Sequence, residues 1–162
     1  SGAGVYDKGV IVDFSMSMVV IAKIMRLLGV DSLHGGAPKG KMENYNEPML
    51  IQQALQEDIT PATDMTLGQN WYGMKGVWHT ASGGLHPGTI GESITRLGEN
   101  LIVQAGGGVL GHPWGIEAGV EAMVQARDIA MQKEDLNKWI IEHPDSALAK
   151  AAHYWGFDPK FV

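Results

Sequence analysis

VWHTASGGLHPGTIGESITRLGENLIVQAGGG, residues 77–108, is the stretch that decides how this chain folds. It reads as a strand over 77–81, a glycine turn at Ser82, Gly83 and Gly84, and a helix that is entered at Pro87 and runs to Leu97. Proline is favoured in the first helical turn because its missing N–H would have no partner there anyway. The order then repeats: a strand over 101–105, the triple glycine Gly106, Gly107 and Gly108, and a helix over 116–132. Strands joined through helices return parallel to one another, so the repeat predicts a parallel α/β sheet covered by helices.

Working outward, SMSMVVIAKIMRLL over 15–28 puts Met18, Ile21, Met25 and Leu28 at helical spacing with Lys23 and Arg26 turned away, and Gly29 is a natural stop. VDSLH over 30–34 is a third strand, ending at His34. The polar, glycine-containing stretch HGGAPKGKMENYNE after it is too long for a simple connector. A helix is predicted over 47–57, no element is assigned from there to Gly73, and two amphipathic helices over 135–142 and 145–155 close the chain.

Three strand–helix units are too few for a closed barrel. A (β/α)8 barrel needs eight units and about 250 residues, so the expected architecture is a partial TIM barrel, its last three βα units plus C-terminal helices. An independent open α/β sheet is the other solution, with GVIVDF over 9–14 as a fourth strand.

Composition bounds the function. The 162 residues are 44% hydrophobic and 19% charged, enough to fold around a core, and the net charge of -6 is spread along the chain. Neither nucleic acid nor an anionic membrane is the expected partner of such a surface. No apolar run reaches the roughly 18 residues of a membrane span, which predicts a soluble protein, and the absence of cysteine is compatible with a cytoplasmic one. Glycine is abundant, 22 residues, and it is concentrated in short clusters beside apolar runs. That placement points to tight turns rather than to a linker.

Ser82-Gly83-Gly84 and Gly106-Gly107-Gly108 each follow a strand and precede a helix. A chain without Cβ atoms can bring its N–H groups up to an anion there, where the helix dipole adds favourable potential. Neither cluster carries the Walker A or dinucleotide pattern, and the bland reading is a pair of strand-to-helix turns. Two clusters in succession favour a phosphate grip, because the loops after the last two strands of a barrel are its usual phosphate site. His34 stands at a strand tip, where a barrel side chain reaches the mouth of the site, although a lone histidine is more often structural. His86 and His112 follow the glycine clusters, and the three histidines match no local zinc spacing. Lys39 and Lys41 lie in the long stretch after His34, flanked by Gly35, Gly36 and Gly40 that would let it open and close. A lysine so placed can carry positive charge to a developing carboxylate or phosphate oxygen, while most lysines are simply solvated. No pair of acids sits at a strand end with spacing for Mg²⁺.

FSMSMVVIAKIMRLLGVDSLH, HGGAPKGKMEN, TASGGLHPG and VQAGGGVLGHPWG, taken in order, resemble the C-terminal half of the large chain of ribulose-1,5-bisphosphate carboxylase/oxygenase, rubisco, more the archaeal than the plant type. The likeness runs from about Phe14 to Trp155. It implies that Lys41 contacts the carboxylate formed from CO2, that His34 helps bind one phosphate of ribulose 1,5-bisphosphate, and that Ser82 contacts the sugar. It also implies that Gly83 and Gly84, with Gln104, Ala105, Gly106 and Gly107, hold substrate, mainly through backbone N–H groups at the other phosphate. Two positions depart from the family: Ala37 stands where threonine is usual and Asn44 where glycine is usual.

The resemblance further implies Mg²⁺ as cofactor, with its ligands, a carbamylated lysine and neighbouring Asp and Glu, and the catalytic histidine all N-terminal to this sequence. Residues 1–162 are thus expected to be the C-terminal portion of a rubisco-type barrel domain, lacking the N-terminal domain and the first half of the barrel, and inactive alone. A homo-oligomer or a complementing chain is the expected partner. Two other readings stand beside this one: a rubisco-like enolase or isomerase acting on another phosphorylated sugar, against which Lys41 in GKME argues, and a non-catalytic half-barrel that binds phosphate or a partner chain.

Overall fold

The computed structural model describes residues 16–39, 46–64 and 66–158. Chain order is α1 (Met18–Leu27), β1 (Ser32–His34), α2 (Glu47–Gln56), β2 (Ile59–Thr60), β3 (Gln69–Asn70), β4 (Trp78–Ala81), α3 (Pro87–Leu97), β5 (Leu101–Val103), α4 (Gly106–Leu110), α5 (Ile116–Gln132), α6 (Leu136–Glu142) and α7 (Ala147–Trp155). The expected fourth strand over 9–14 lies outside the described residues, as do Gly40 and Lys41.

The predicted parallel sheet is present, in the order β1-β4-β5. Its register pairs His34 with Thr80 and Ala81 with Val103, so the three C-terminal strand ends lie side by side. One face of the sheet is covered. Leu33 packs with Val19, Ile51, Leu55 and Val77, while Ala81, Leu101 and Val103 pack with the helical residues Ile90, Leu97, Ala126, Ile129 and Leu148. At alternate strand positions Trp78 and Ile102 remain 47% and 41% exposed, as strand periodicity requires of the opposite face. This is an arc of a (β/α)8 barrel, dressed with helices on its outer side.

Local signals explain the helix bounds. Ser17, Asp135 and Ser146 cap α1, α6 and α7 by accepting backbone N–H bonds, and Gly98 and Gly156 end α3 and α7 at positive φ. Three expectations need correction. The stretch between α2 and β4 holds the antiparallel pair β2–β3, too short for a hydrophobic alternation to show in sequence. The triple glycine is not a bare turn before a helix at 116: it forms the first residues of α4 itself.

The third correction concerns α1, which buries Val19, Ala22 and Arg26, whereas Leu28 is 70% exposed. Arg26 is turned inward because the backbone around β2–β3 offers it partners. Its guanidinium donates to the carbonyls of Ala54, Glu57, Met74 and Lys75 at 2.8–3.3 Å and lies 4.4 Å from the centroid of the Trp71 ring. The Trp71 indole N–H in turn donates to Thr60 Oγ1 at 2.9 Å. Burial pulls the Arg26 pKa down, and the nearby Asp58 charge opposes that pull.

Helices α4 and α5 cross where Gly119 meets the carbonyl end of Val109; a Cβ on Gly119 would stand 3.0 Å from Val109 Cα and closer still to its carbonyl group. Backbone cannot yield as a side-chain tip can. Gly119→Ala is therefore expected to destabilise the protein by about 1–3 kcal/mol, read as a lower urea midpoint at unchanged slope.

Candidate functional site

The sheet order sets the site. Because β1, β4 and β5 are parallel and in register, the residues that follow them leave the sheet at one edge, the carboxyl-end edge where α/β proteins bind ligands. Gly35 N–H bonds to Thr80 O at 3.1 Å and Gln104 N–H to Ala81 O at 2.9 Å, so the ladder continues to the last residue before each loop. His34 and Ser82 thereby become neighbours. Their side chains hydrogen-bond, Nδ1 to Oγ, at 3.0 Å.

Beyond Ser82 the chain takes two consecutive positive φ values, 101° at Gly83 and 72° at Gly84. Residues with a Cβ rarely adopt that region, so this turn is open to glycine and closed to most alternatives. It brings backbone alongside the N-terminus of α3. On the neighbouring strand, Gln104 and Ala105 lead into α4, whose first residues Gly106 and Gly107 have open space where a Cβ would point. The first-turn amides of a helix have no carbonyl four residues back to bond, so they are available to an acceptor. A cleft of about 390 Å³ lies between these two turns.

Ser82, Gly83, Gly84, Gln104, Ala105, Gly106 and Gly107 all line this cleft. His34 joins it through Ser82. Lys41 lies outside the described residues. Gly108, the last of the expected triple glycine, lines the cleft too, and three lining residues were not among the expected ones: Leu85, His86 and Trp155. The glycine motif could have pointed to the first two. Trp155 arrives from the far end of the chain, and nothing local marks it.

Gly108 shows why a third glycine is needed. A Cβ there would lie 2.6 Å from His86 Cα and would also collide with the Leu85 carbonyl oxygen, so α4 can approach the turn after β4 only without one. The two histidines after the glycine clusters serve the framework. His86 Nδ1 accepts from Gly88 N–H and His112 Nδ1 accepts from Trp114 N–H, which leaves each Nε2–H to donate: to Asp158 O at 2.8 Å and to Ala147 O at 2.9 Å. Helix α7 is thus gripped at both ends, and Trp155 packs against both imidazoles at centroid distances of 5.6 and 6.0 Å.

The chain leaving β1 is held from below. His79 on β4 is fully buried, its Nε2–H donates to Gly36 O at 2.8 Å, and a Cβ on Gly35 would meet that nitrogen at 2.6 Å. Burial holds the His79 pKa below its ordinary 6.5, and the bond to Gly36 offsets this only in part. The unfolded chain therefore takes up a proton near pH 6.5 that the folded chain refuses. Stability is complete above that pH and is lost as pH falls toward the folded-state pKa. Urea midpoints are expected to drop from about pH 7 to about pH 5.5, with a shallower slope in His79→Asn.

No cluster of three or more His, Asp or Glu among the described residues could hold a metal ion. The described residues therefore do not fit Mg²⁺. No helix among them is long and apolar enough to cross a membrane.

Comparison with known proteins follows the same outline. The family model for the ribulose bisphosphate carboxylase large chain, catalytic domain, matches residues 1–155. The ribulose bisphosphate carboxylase of Methanocaldococcus jannaschii is 40% identical over 146 residues, covering 88% of this chain and 34% of that protein. That of Thermococcus kodakarensis is 39% identical over 146 residues, covering 87% of this chain and 32% of that protein. Among solved structures, a dimeric archaeal Rubisco from Hyperthermus butylicus superposes with a TM-score of 0.76 at 39% identity over 88% of this chain and 33% of its own. An octameric Rubisco from Pyrococcus horikoshii superposes with a TM-score of 0.71 at 37% identity over 88% of this chain and 31% of its own. The chain spans about a third of the length of these relatives.

Proposed function

This chain belongs to the ribulose bisphosphate carboxylase large-chain family, and we propose that it is the phosphate-binding and lysine-bearing portion of a ribulose-1,5-bisphosphate carboxylase. In this reading residues 1–162 are the C-terminal part of the barrel domain, completed by the rest of a longer large chain or by a complementing chain. The complete protein works as a cytoplasmic homo-oligomer that carboxylates the enediolate of its substrate.

The observation that carries the proposal is the hydrogen bond between His34 and Ser82 at the lip of a cleft walled by two glycine turns. The bond holds two polar side chains beside the cleft, an arrangement that suits one end of a phosphorylated sugar. Gly83 and Gly84 on one side and Gly106 and Gly107 on the other present backbone to a phosphate that needs several donors at once. Gln104 and Ala105 line the cleft as well. Backbone N–H groups so arranged can hold an anion with no lysine or arginine among the described lining residues. Mg²⁺ belongs to this reading only through the rest of the complete enzyme, with its ligands expected N-terminal to this sequence.

The test is fixation of labelled CO2 on ribulose 1,5-bisphosphate by the complete protein with Mg²⁺. Substrate-dependent incorporation is expected, and the 162-residue chain alone is expected to show none. Ser82→Ala should raise KM for the bisphosphate about 3–10-fold, the loss of one hydrogen bond. Isomerisation or enolisation of another sugar phosphate without CO2 uptake would replace this reading with that of a rubisco-like enzyme.

A further inference from the structure

The residues after α7 lie directly on the first turn of α3. A Cβ on Gly88 would run into the carbonyl oxygen of Gly156, so the two backbones meet where only glycine fits. Two residues on, Asp158 is held twice: its carbonyl accepts from His86 Nε2–H at 2.8 Å, and its carboxylate receives Lys39 Nζ at 3.3 Å. Lys39 also approaches Glu92 of α3 at 3.9 Å, and Glu92 is paired with Arg96 at 2.9 Å. Three segments converge here. Lys39 belongs to the chain leaving β1, whose strand ends at His34; His86 and Glu92 belong to the turn and helix after Ser82-Gly83-Gly84; Asp158 follows Trp155, which lines the cleft.

A solvated ion pair contributes little to stability, and the Asp158 side chain is 85% exposed. Its effect is on position. The Lys39 side chain is only 23% exposed and its two acids come from different segments, so the ammonium ties those segments together rather than decorating one of them.

We propose that the Lys39–Asp158 ion pair, seated on His86, is a clasp that fixes the chain leaving β1 against the first turn of α3 and so sets the spacing between His34 and the glycine wall of the cleft. Lys39 and Asp158 are positioning residues; neither lines the cleft. The clasp explains why a charged residue beyond the last helix is gripped by both its backbone and its side chain. It rests on the reading of the cleft as a bisphosphate site, and one arm of its test is independent of that reading.

In the complete protein, Asp158→Asn and Lys39→Met are each expected to raise KM for ribulose 1,5-bisphosphate about 3–10-fold, with kcat within about twofold and the melting temperature unchanged. The double variant should match the single ones, because each removes the same contact. Asp158→Glu and Lys39→Arg, which keep the charges, should restore KM. Amide hydrogen exchange over residues 35–39 should accelerate in Asp158→Asn whether or not the protein turns over the bisphosphate. Unchanged exchange overturns the clasp. Faster exchange with unchanged KM, or strictly additive effects in the double variant, overturns its positioning role, and a protein that ignores the bisphosphate but shows faster exchange retains the clasp while losing the substrate assignment.

Discussion

In the complete protein, Lys41→Ala is expected to lower the carboxylation rate by about 10²–10³-fold while the affinity for ribulose 1,5-bisphosphate stays within a few-fold. The reason is where its charge is needed. Under the proposed function the substrate carries its phosphates before and after reaction, and the glycine turns with His34 and Ser82, which line or adjoin the cleft, would hold it throughout. Negative charge on the new carboxylate exists only once CO2 has begun to add. A cation that meets that charge stabilises the transition state without tightening substrate binding, so its loss appears in kcat rather than in KM. Lys41→Arg keeps the charge but spreads it over a planar fork and should recover only part of the rate. Turnover of Lys41→Ala at the normal rate, measured by labelled CO2 incorporation, would remove Lys41 from the mechanism.

The second large effect is on folding. Arg26→Met is expected to cost about 3–5 kcal/mol, a large share of the roughly 5–15 kcal/mol that holds an ordinary domain together. Four carbonyls, of Ala54, Glu57, Met74 and Lys75, lose their donor at once, and the face of Trp71 loses the guanidinium over it. Methionine fills much of the volume and leaves the carbonyls unbonded where water has little access, since Arg26 is 1% exposed. Arg26→Lys would fare little better: one compact ammonium with three donors cannot span four carbonyls that a flat five-donor group reaches. Urea unfolding of Arg26→Met and Arg26→Lys checks this, and a midpoint shift below about 1 kcal/mol in both would show that the carbonyls find other partners.

Arg26 also marks where sequence reading stopped. Helical periodicity sorts residues into apolar and charged and assigns the charged ones to water, so it turned Arg26 outward. What brings Arg26 inward is a set of backbone carbonyls 28 to 49 residues away in the chain, and no local pattern encodes them. Elements with clear ends were legible: α3 is entered at Pro87 and ends at Leu97 as expected, and α7 ends at Trp155 as expected although it starts at Ala147 rather than 145. The pair β2–β3 was not, because two-residue strands carry no period. In the cleft, the glycine turns were readable because positive φ and close backbone approach leave few substitutes for glycine. The hydrogen bond joining His34 to Ser82 was beyond reach, since it depends on strand register.

The pair β2–β3 has a use apart from stability. It precedes β4, whereas the turn that lines the cleft follows that strand, and no residue of the pair lines the cleft. Asp64, in the connection between β2 and β3, is exposed. A fluorophore or tether attached there would avoid the residues that line the cleft, giving the chain an attachment point by which it could be immobilised or tracked.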